Sequence, residues 1–302
     1  MNLKKILKKS NIITKTYRKS RPIILPFLLT YNYKLATKLL YFETFGFLPD
    51  IEAPKKFSEK LTKYNIETYH NNPLVTQCAD KFKARDFVKE KGYGNILNEV
   101  YGSWSKAEDI EWDSLPDKFV LKCNHGSGFN LICNSKKKLD IELTIEEIKG
   151  WLSTDYWKKS GEIFYKNMEK IIFCEELIET KNGLPPKDIK IFCSYGEPKI
   201  LFVASERTSN ENVKFDYYSP DWEKIPVKNV HENSLTSISK PDNLEELLKI
   251  AGDLSKEWPQ VRVDLYSEED KIVFGELTFL HMAGRPQFDP KEYDEIFGSY
   301  FP

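Results

Sequence analysis

Two consecutive segments near the C-terminus constrain the fold of this chain more than any other feature. Residues 261–266 alternate apolar and polar side chains, and residues 272–279 are rich in β-branched and aromatic residues. The polar residues 267–271 separate them, so the pattern predicts two antiparallel strands joined by a turn. This pairing puts Asp264 and Glu276 on neighbouring strands.

Carboxylates flanked by apolar strand residues are costly unless a positive charge lies between them. A hard cation such as Mg²⁺, shared with the phosphates of a nucleotide, would offset the repulsion between Asp264 and Glu276. An exposed acidic hairpin without a cation explains the same pattern equally well. The segment alone therefore leaves both interpretations open.

Residues 119–133 read as a strand, a glycine-containing loop and a second strand. Lys122 lies near the end of the first strand, where its ammonium group could reach a phosphate. The loop that follows suits an anion, because glycines let the backbone amides turn toward it and polar side chains add donors: Asn124, Gly126, Ser127 and Gly128. It is not a Walker A loop, because no Gly-Lys-Ser/Thr follows. An ordinary hairpin turn is the alternative, and only the combination with the distal carboxylates favours phosphate binding.

Charge is distributed unevenly along the chain. The formal net charge of the 302 residues is −1, yet the first 42 residues hold ten Lys and Arg and no acidic residue, leaving 35 basic and 46 acidic residues in the remainder. We expect no nucleic-acid partner for the acidic body. The length and the 40% hydrophobic content predict a large core in two or three packed subdomains.

The cysteines and the apolar segments indicate a cytoplasmic protein. The five cysteines lack Cys-x-x-Cys spacing and mostly fall within apolar runs, which predicts free, buried thiols in a reducing compartment. No secretory signal pattern and no run of about 18 apolar residues is present. The basic leader, residues 1–42, could rest on an anionic surface at the inner face of the membrane, or could pack its apolar part on the body.

Helix signals surround these strands. Pro73 predicts the start of a helix that ends at Gly92 and carries Asp80, Lys81 and Arg85 on its polar side. A capping box, Thr144-x-x-Glu147, predicts the start of another helix.

The order of the short motifs resembles the ATP-grasp enzymes. More narrowly, it is similar to the branch related to teichuronopeptide biosynthesis proteins, found with capsule and cell-surface polysaccharide genes. The resemblance runs from about Pro54 to the C-terminus, does not include the basic leader, and rests on these motifs: Asp80-Lys81 to Arg85, Lys122 to Gly128, Glu175-Glu176, Asp188-x-Lys190, Arg262-x-Asp264 and Glu276-x-Thr278.

The resemblance implies an α+β fold in which two subdomains clamp ATP. It divides the chain into a basic helical extension, a helical linking region, a subdomain with the phosphate loop and a subdomain with the metal site: residues 1–50, 51–118, 119–178 and 179–302. In such enzymes a carboxylate attacks the γ-phosphate of ATP, and an amine captures the acyl phosphate.

The same resemblance implies roles for individual residues. Lys81 and Lys122 would contact phosphates, and the loop at residues 124–128 would close over them. Arg262 would stabilise the transferring phosphoryl group or the acyl phosphate. The metal ligands would be Asp264, Glu276 and Thr278, although the family often has Asn at the last position and a threonine hydroxyl is a weaker ligand.

Three residues of the expected site each have two alternative roles. Glu175 either meets adenine and ribose, together with Glu176 and the backbone through Ile178, or faces solvent. Lys190 alternates with apolar neighbours and points either to the phosphate cleft, where it would be catalytic, or to solvent. His125 either donates to a phosphate or orders the loop.

The residues expected to contact the acceptor substrate form a less specific sequence pattern. Asp188, His281 and Gly284 would lie near the acceptor, and Arg207 would recognise its carboxylate. Residues 215–222 combine acidic and aromatic residues that could stack on a sugar, although an ordinary packed β-meander has the same composition.

The combined expectation is an ATP- and Mg²⁺-dependent ligase. It would join an amine, such as an amino acid, to a carboxylate on a surface-polysaccharide precursor, such as a uronic acid, whether that sugar is a small molecule or lipid-linked. Two other classes remain open: a glycosyltransferase or kinase that uses the same nucleotide cleft, and a non-catalytic nucleotide-binding scaffold.

Overall fold

Two antiparallel sheets form the framework of the protein. A computed structural model describes residues 11–181, 183, 185–206, 213–268 and 271–302, with side chains from residue 20 onward. Within these residues the smaller sheet has the strand order β1-β4-β2-β3. Its strands are β1 (Val100–Trp104), β2 (Phe119–Cys123), β3 (Asn130–Cys133) and β4 (Ile172–Glu175).

The larger sheet has the strand order β10-β9-β5-β6-β7-β8. Its strands are β5 (Lys187–Ser194), β6 (Glu197–Ser205), β7 (Lys214–Tyr218), β8 (Lys224–Ile225), β9 (Val261–Glu268) and β10 (Lys271–Thr278). The sequence does not reveal this order, because β9 inserts between β10 and the much earlier β5.

The predicted pairing of the two strands that carry Asp264 and Glu276 is confirmed. Strands β9 and β10 are antiparallel, and Glu276 lies directly opposite Asp264. The register shifts between Phe274 and Glu276, which leaves Gly275 as the extra residue of a β-bulge. A Cβ atom at Gly275 would lie 3.0 Å from the Asp264 carbonyl oxygen, so the backbones approach closely at this point. Of the predicted connection at residues 267–271, Ser267 and Glu268 belong to β9 and Lys271 to β10, whereas residues 269 and 270 lie outside the described residues.

Helices cover the two sheets and extend beyond them. They are α1 (Asn11–Tyr31), α2 (Tyr33–Phe45), α3 (Phe57–Tyr64), α4 (Pro73–Ala79), α5 (Ala84–Glu90), α6 (Ile141–Ser153), α7 (Tyr156–Ser160), α8 (Leu244–Asp253) and α9 (Tyr293–Gly298). Helix α6 packs on the smaller sheet through Ile148 and Trp151. Helices α3, α4, α5, α8 and α9 share one apolar core with the larger sheet.

The helix predicted from Pro73 to Gly92 is wrong as a continuous element. The structure divides it into α4 and α5, because the Asp80 carboxylate accepts hydrogen bonds from the backbone amides of Phe82 and Lys83, at 2.9 and 3.0 Å. This side chain competes with the helical pattern and turns the chain. The break leaves the Lys81 amide free to donate to the Asn124 carbonyl oxygen at 3.0 Å.

The predicted start of α6 is also wrong. The helix begins at Ile141, and the Asp140 side chain caps it by accepting from the Leu143 amide at 3.0 Å. Thr144, the predicted cap, lies inside the first turn and donates its hydroxyl to the Asp140 carbonyl oxygen. Aspartate is as good an N-cap as threonine, and the capping-box pattern alone does not discriminate between them.

All five cysteines are free and buried, as expected. Among the described helices, none is long and apolar enough to cross a bilayer.

A close contact fixes the C-terminus on α3. The Asp294 carboxylate accepts from the Ser58 amide at 2.9 Å and from the Ser58 hydroxyl at 2.6 Å. At Gly298, a Cβ atom would lie 2.0 Å from the Lys55 carbonyl oxygen. Only a glycine allows α9 to approach the start of α3 this closely.

We expect Gly298→Ala to lower the free energy of unfolding by about 1–3 kcal/mol, because the added methyl group forces two backbones apart. Urea denaturation measures this change. Gly150→Ala is the matched control: its Cβ meets no atom within 4 Å, so inside α6 it should be neutral or stabilising by up to about 1 kcal/mol. Equal stability of Gly298→Ala and the parent would contradict the close approach.

Candidate active site

A charged cleft lies where the two sheets face each other. A cavity of about 190 Å³ is lined by the glycine loop of the smaller sheet and by charged side chains of the larger sheet. In the described part of the chain, four cationic side chains, Lys81, Lys122, Lys190 and Arg262, alternate there with four carboxylates, Glu175, Asp188, Asp264 and Glu276. The predicted phosphate loop and the predicted acidic pair therefore meet in one place.

The glycine loop is anchored at its root by Asn124. The buried Asn124 side chain donates to the Asp80 carboxylate and to the Glu169 carbonyl oxygen, both at 2.8 Å, and accepts from the Ile171 amide at 3.0 Å. These bonds occupy the amide, so Asn124 fixes the loop. Ser127 and Gly128, farther along the loop, line the cavity.

Two glycines shape the tip of the loop. Gly126 and Gly128 have φ values of 71° and 80°, in the left-handed region that favours glycine. A Cβ atom at Gly126 would lie 2.9 Å from the Tyr156 ring. The Gly126 carbonyl oxygen accepts a hydrogen bond from the Lys81 ammonium at 2.5 Å, so Lys81 holds the loop and lines the cavity as well.

Lys122 and Glu175 form a partly buried ion pair from adjacent strands of the smaller sheet. Burial alone would lower the pKa of Lys122, but the Glu175 carboxylate raises it above its ordinary value. Lys122 therefore carries its charge at the edge of the cavity. The solvent-facing interpretation of Glu175 is wrong, because this side chain is buried and lines the cleft.

Arg262 lies at the centre of the ion network on the larger sheet. Its Nε and Nη2 atoms donate to the two Asp264 oxygens at 2.6 and 2.7 Å, in a bidentate pair. Lys190 donates to the same Asp264 carboxylate at 2.5 Å and lies 3.0 Å from the Asp188 carboxylate. The side chain of Lys190 therefore points into the cleft and not to solvent.

Glu276, on the neighbouring strand β10, also lines the cavity. Burial would raise the pKa of this carboxyl group, but Lys81, Lys190 and Arg262 lower it to about 2. The Thr278 hydroxyl donates to Glu276 Oε1 at 3.0 Å and accepts from Arg262 Nη2 at 2.9 Å. Glu276 is therefore an anion at neutral pH, with Thr278 as its neighbour.

A second, more apolar cavity of about 110 Å³ continues from the charged cleft. It is lined by residues of both sheets and of the segment after β4, among them Val120, Ile132, Glu176, Leu177, Ile178 and Tyr266. Lys122, Asn130 and Tyr266 line both cavities and make them one continuous cleft. Glu176 and Ile178 therefore lie at the end of the cleft where an aromatic base would fit.

Two predicted site residues lie beneath the cleft. His125 is buried, faces the Thr154 carbonyl oxygen at 3.3 Å, and has its pKa lowered to about 4 by burial. His281 is also buried, and its Nδ1 lies 2.8 Å from Arg262 Nη1. Burial, followed by the charge of Arg262, lowers the pKa of His281 well below its ordinary value. The geometry favours loop ordering for His125 and orientation of Arg262 for His281.

The acceptor residues are only partly brought together. Asp188 lines the charged cavity, whereas Gly284 is buried in a left-handed turn against Leu280 and Leu61. Arg207 lies outside the described residues. Tyr217 and Tyr218 on β7 are buried, so their rings cannot stack on a sugar, and this part of residues 215–222 is an ordinary β-meander.

Among the residues that line both cavities, Tyr266 and Asn130 were not predicted. Tyr266 follows Asp264 by two positions on β9 and pairs with Asp188 across the sheet, so strand alternation was the signal that could have found it. Asn130 lies directly opposite Lys122 in the β2–β3 ladder. Only the register of that hairpin identifies it.

Solved structures with a similar fold include two ligases and a synthase. One is D-alanine–D-alanine ligase from Bacillus anthracis complexed with ATP, with 14% identity over 68% of this chain and 55% of that chain and a TM-score of 0.39. Another is L-amino acid ligase from Bacillus licheniformis, with 15% identity over 83% and 56% and a TM-score of 0.46. A third is N5-carboxyaminoimidazole synthase from Aspergillus clavatus in complex with ADP and a ribonucleotide, with 12% identity over 69% and 46% and a TM-score of 0.42.

The chain spans about half the length of these structures. No curated protein matches the sequence. The family model described as TupA-like ATPgrasp matches residues 59–302, which include every described residue of the charged cleft. The matched region excludes α1 and α2. The chain therefore belongs to the TupA-like ATP-grasp family.

Proposed function

We propose that the protein is an ATP-dependent carboxylate–amine ligase. The observation that carries this proposal is the continuous cleft, with an apolar end at Ile178 and a cationic end at Lys81, Lys122 and Lys190. A nucleotide has the same order of an apolar base and an anionic phosphate chain. Family membership supports ATP as that nucleotide.

The proposed reaction has two steps. A substrate carboxylate oxygen attacks the γ-phosphorus of ATP, the bond to the β–γ bridging oxygen breaks, and an acyl phosphate and ADP form. An amine then attacks the acyl carbon, phosphate leaves with its electron pair, and the amine loses a proton as the amide forms. Positioning and neutralisation of charge are the main contributions of the protein to such a reaction.

Each cation in the cleft has a task in this scheme. Lys122, held by Glu175, binds the phosphates near the base. Lys81 binds the phosphate chain and holds the loop through Gly126. Arg262 is fixed by Asp264 and stabilises the negative charge that develops on the transferred phosphoryl group.

The residues present fit Mg²⁺ bound together with the nucleotide. Glu276 is ionised, lines the cavity and is 31% exposed at its side chain, which suits a hard cation. When bound, the ion would neutralise phosphate charge and polarise the bond that breaks.

We propose a sugar carboxylate, such as a uronic acid of a surface-polysaccharide precursor, as the acceptor, and an amino acid or another amine as the nucleophile. The similarity of the motifs to polysaccharide-associated ATP-grasp proteins supports this choice. Incubation of the protein with ATP, Mg²⁺, uronic acids and amino acids should release ADP and phosphate only when both substrates are present. Transfer of phosphate to a sugar without an amine would identify a kinase instead.

Nucleotide binding tests the proposal first. We expect a nonhydrolysable ATP analogue with Mg²⁺ to bind the parent protein, and Lys122→Met to weaken that binding by about 10- to 100-fold, because one charge-assisted hydrogen bond to phosphate is lost. Isothermal titration calorimetry measures both affinities. Glu276→Gln should reduce the dependence of this affinity on Mg²⁺.

Lys149→Met is the matched control. Lys149 lies on the surface of α6 and pairs with Glu108 and Glu146, so this variant should bind the nucleotide like the parent. Thermal melting of each variant verifies that it is folded, because Lys122→Met leaves Glu175 buried without its partner. Absence of binding by the folded parent would refute the proposed function.

We further propose that the N-terminal helices rest on an anionic membrane at the cytoplasmic face. Leu25 and Leu29 pack α1 on the body next to Trp157. Ile23, Phe27 and Tyr31, spaced four residues apart on the same helix, are 77, 60 and 75% exposed. This exposed apolar line within a segment of ten basic and no acidic residues suits insertion between lipid headgroups.

We expect the protein to sediment with vesicles that contain phosphatidylglycerol and not with phosphatidylcholine vesicles. Phe27→Ser combined with Ile23→Ser should weaken the interaction by about tenfold or more, because two apolar side chains no longer enter the bilayer. Leu143→Ser, which changes a 68% exposed leucine on α6, is the control. Equal binding of the double variant and the parent would refute this orientation.

A further inference from the structure

The Asp264 carboxylate has little capacity left for a metal ion. An ionised carboxylate offers about four lone-pair sites. Arg262 occupies one site on each oxygen, at 2.6 and 2.7 Å, and Lys190 occupies another at 2.5 Å. The side chain is only 2% exposed. A metal ion could bind Asp264 closely only after one of these cations moved away.

Lys190 takes a position that a bridging cation would otherwise occupy. Its ammonium group lies between two carboxylates, 2.5 Å from Asp264 and 3.0 Å from Asp188. Both carboxylates are buried, and burial of like charges side by side requires a cation between them. In this protein the ammonium group of Lys190 supplies that positive charge.

The hydroxyl group of Thr278 is likewise occupied by hydrogen bonds within the network. Its hydroxyl hydrogen goes to Glu276 Oε1, and one of its two lone pairs accepts from Arg262 Nη2. Threonine is therefore a bridge between Arg262 and Glu276 in this network.

Glu276 differs from these residues. Its Oε1 atom accepts from Thr278 and Arg262, whereas no hydrogen bond from a described residue reaches Oε2, and the Lys81 ammonium lies 3.6 Å from that atom. Oε2 is therefore the carboxylate oxygen of the network that is best placed to receive a metal ion. Within the described residues, moreover, no group of three or more His, Cys, Asp or Glu side chains could hold a metal ion by itself.

We propose that this protein binds a single divalent cation, held by Glu276 and the nucleotide phosphates, and that Lys190 and Arg262 replace a second cation at Asp264. Asp264 is then a positioning residue for Arg262 and Lys190 and not a metal ligand. Mg²⁺ commonly binds through one or two carboxylates together with substrate phosphates, and keeps waters at its other positions. This inference rests on the proposed function, because the nucleotide must complete the metal site.

Mn²⁺ in place of Mg²⁺ makes the number of ions measurable without turnover. Electron paramagnetic resonance reports free Mn²⁺, so titration of a stoichiometric complex of the protein with a nonhydrolysable ATP analogue gives the number of bound ions and their affinity. The complex is prepared well above its dissociation constant, because free analogue would itself bind Mn²⁺. We expect one Mn²⁺ per chain. Without nucleotide, we expect binding to be at least about tenfold weaker, because the phosphate ligands are missing.

Two variants of similar shape separate the roles of the carboxylates. Glu276→Gln should weaken Mn²⁺ binding by about tenfold or more, since it removes the charged ligand. Asp264→Asn should retain one Mn²⁺ of parental affinity while the maximal rate of ADP release falls, because Arg262 and Lys190 lose the anion that positions them. Titration of the parent alone decides the number of ions if Asp264→Asn does not fold.

The outcomes distinguish this inference from the function on which it rests. Two tightly bound Mn²⁺ ions in the parent complex would overturn the inference while leaving the ligase proposal intact. Loss of the bound ion from a folded Asp264→Asn variant would also overturn it, because Asp264 would then be a ligand. Failure of the parent to bind nucleotide would instead overturn the proposed function, and the inference with it.

Discussion

The buried ion pair between Arg262 and Asp264 is the interaction on which the rest of the cleft depends. Two charges removed from water are costly, and a buried pair offsets this cost only when its remaining donors and acceptors are satisfied. Around this pair they largely are, because Arg262 also contacts Glu276, Thr278 and His281. Removal of either partner would leave a buried charge with only its weaker second partner, Lys190 for Asp264 or Glu276 for Arg262, at a cost of up to about 3–5 kcal/mol.

The network exists because three strands meet in a particular register. Lys190 on β5 pairs with Asp264 on β9, and Asp264 pairs in turn with Glu276 on β10. The bulge at Gly275 shifts the register so that the two carboxylates lie opposite each other. Without this extra residue, every residue after the bulge would face the other side of the sheet.

The smaller sheet forms the opposite wall of the cleft. Hydrogen bonds from polar side chains connect this sheet to the helices. Asp80 ends α4 and also accepts from Asn124, so one carboxylate connects the helix break to the root of the glycine loop. Burial raises the pKa of Asp80 above its ordinary value, although hydrogen bonds and the charge of Lys83 act in the opposite direction. Lys81 emerges from this break and reaches across the cleft to the loop and to Glu276.

Strand alternation and motif order were sufficient to predict much of the site. The lysine before the glycine loop and the hairpin of Asp264 and Glu276 could be inferred because each is a local pattern in the sequence. The family could be inferred from the order of the short motifs along the chain. Tyr266 could have been inferred from its spacing to Asp264. Asn130 could not, because only pairing of β3 with Lys122 brings it to the cleft.

Histidines and aromatic residues were harder to interpret from the sequence. His125 is adjacent to the glycine loop, and His281 follows the metal-site motif, yet both rings turn into the interior. Tyr217 and Tyr218 are likewise buried in the larger sheet. A short motif gives the position of a side chain along the chain, but packing decides on which side of the backbone it lies.

The sequence by itself determined the local elements of this protein: the strand–loop–strand at Lys122, the hairpin of Asp264 and Glu276, and the uneven charge of the leader and the body. Tertiary structure alone decided which cation neutralises which carboxylate. This difference has a physical reason. Local elements follow from periodicity and turn chemistry over a few residues. The ion network also joins distant residues, such as Lys190 and Asp264, which are 74 positions apart, and the order of strands in the sheet sets their distances.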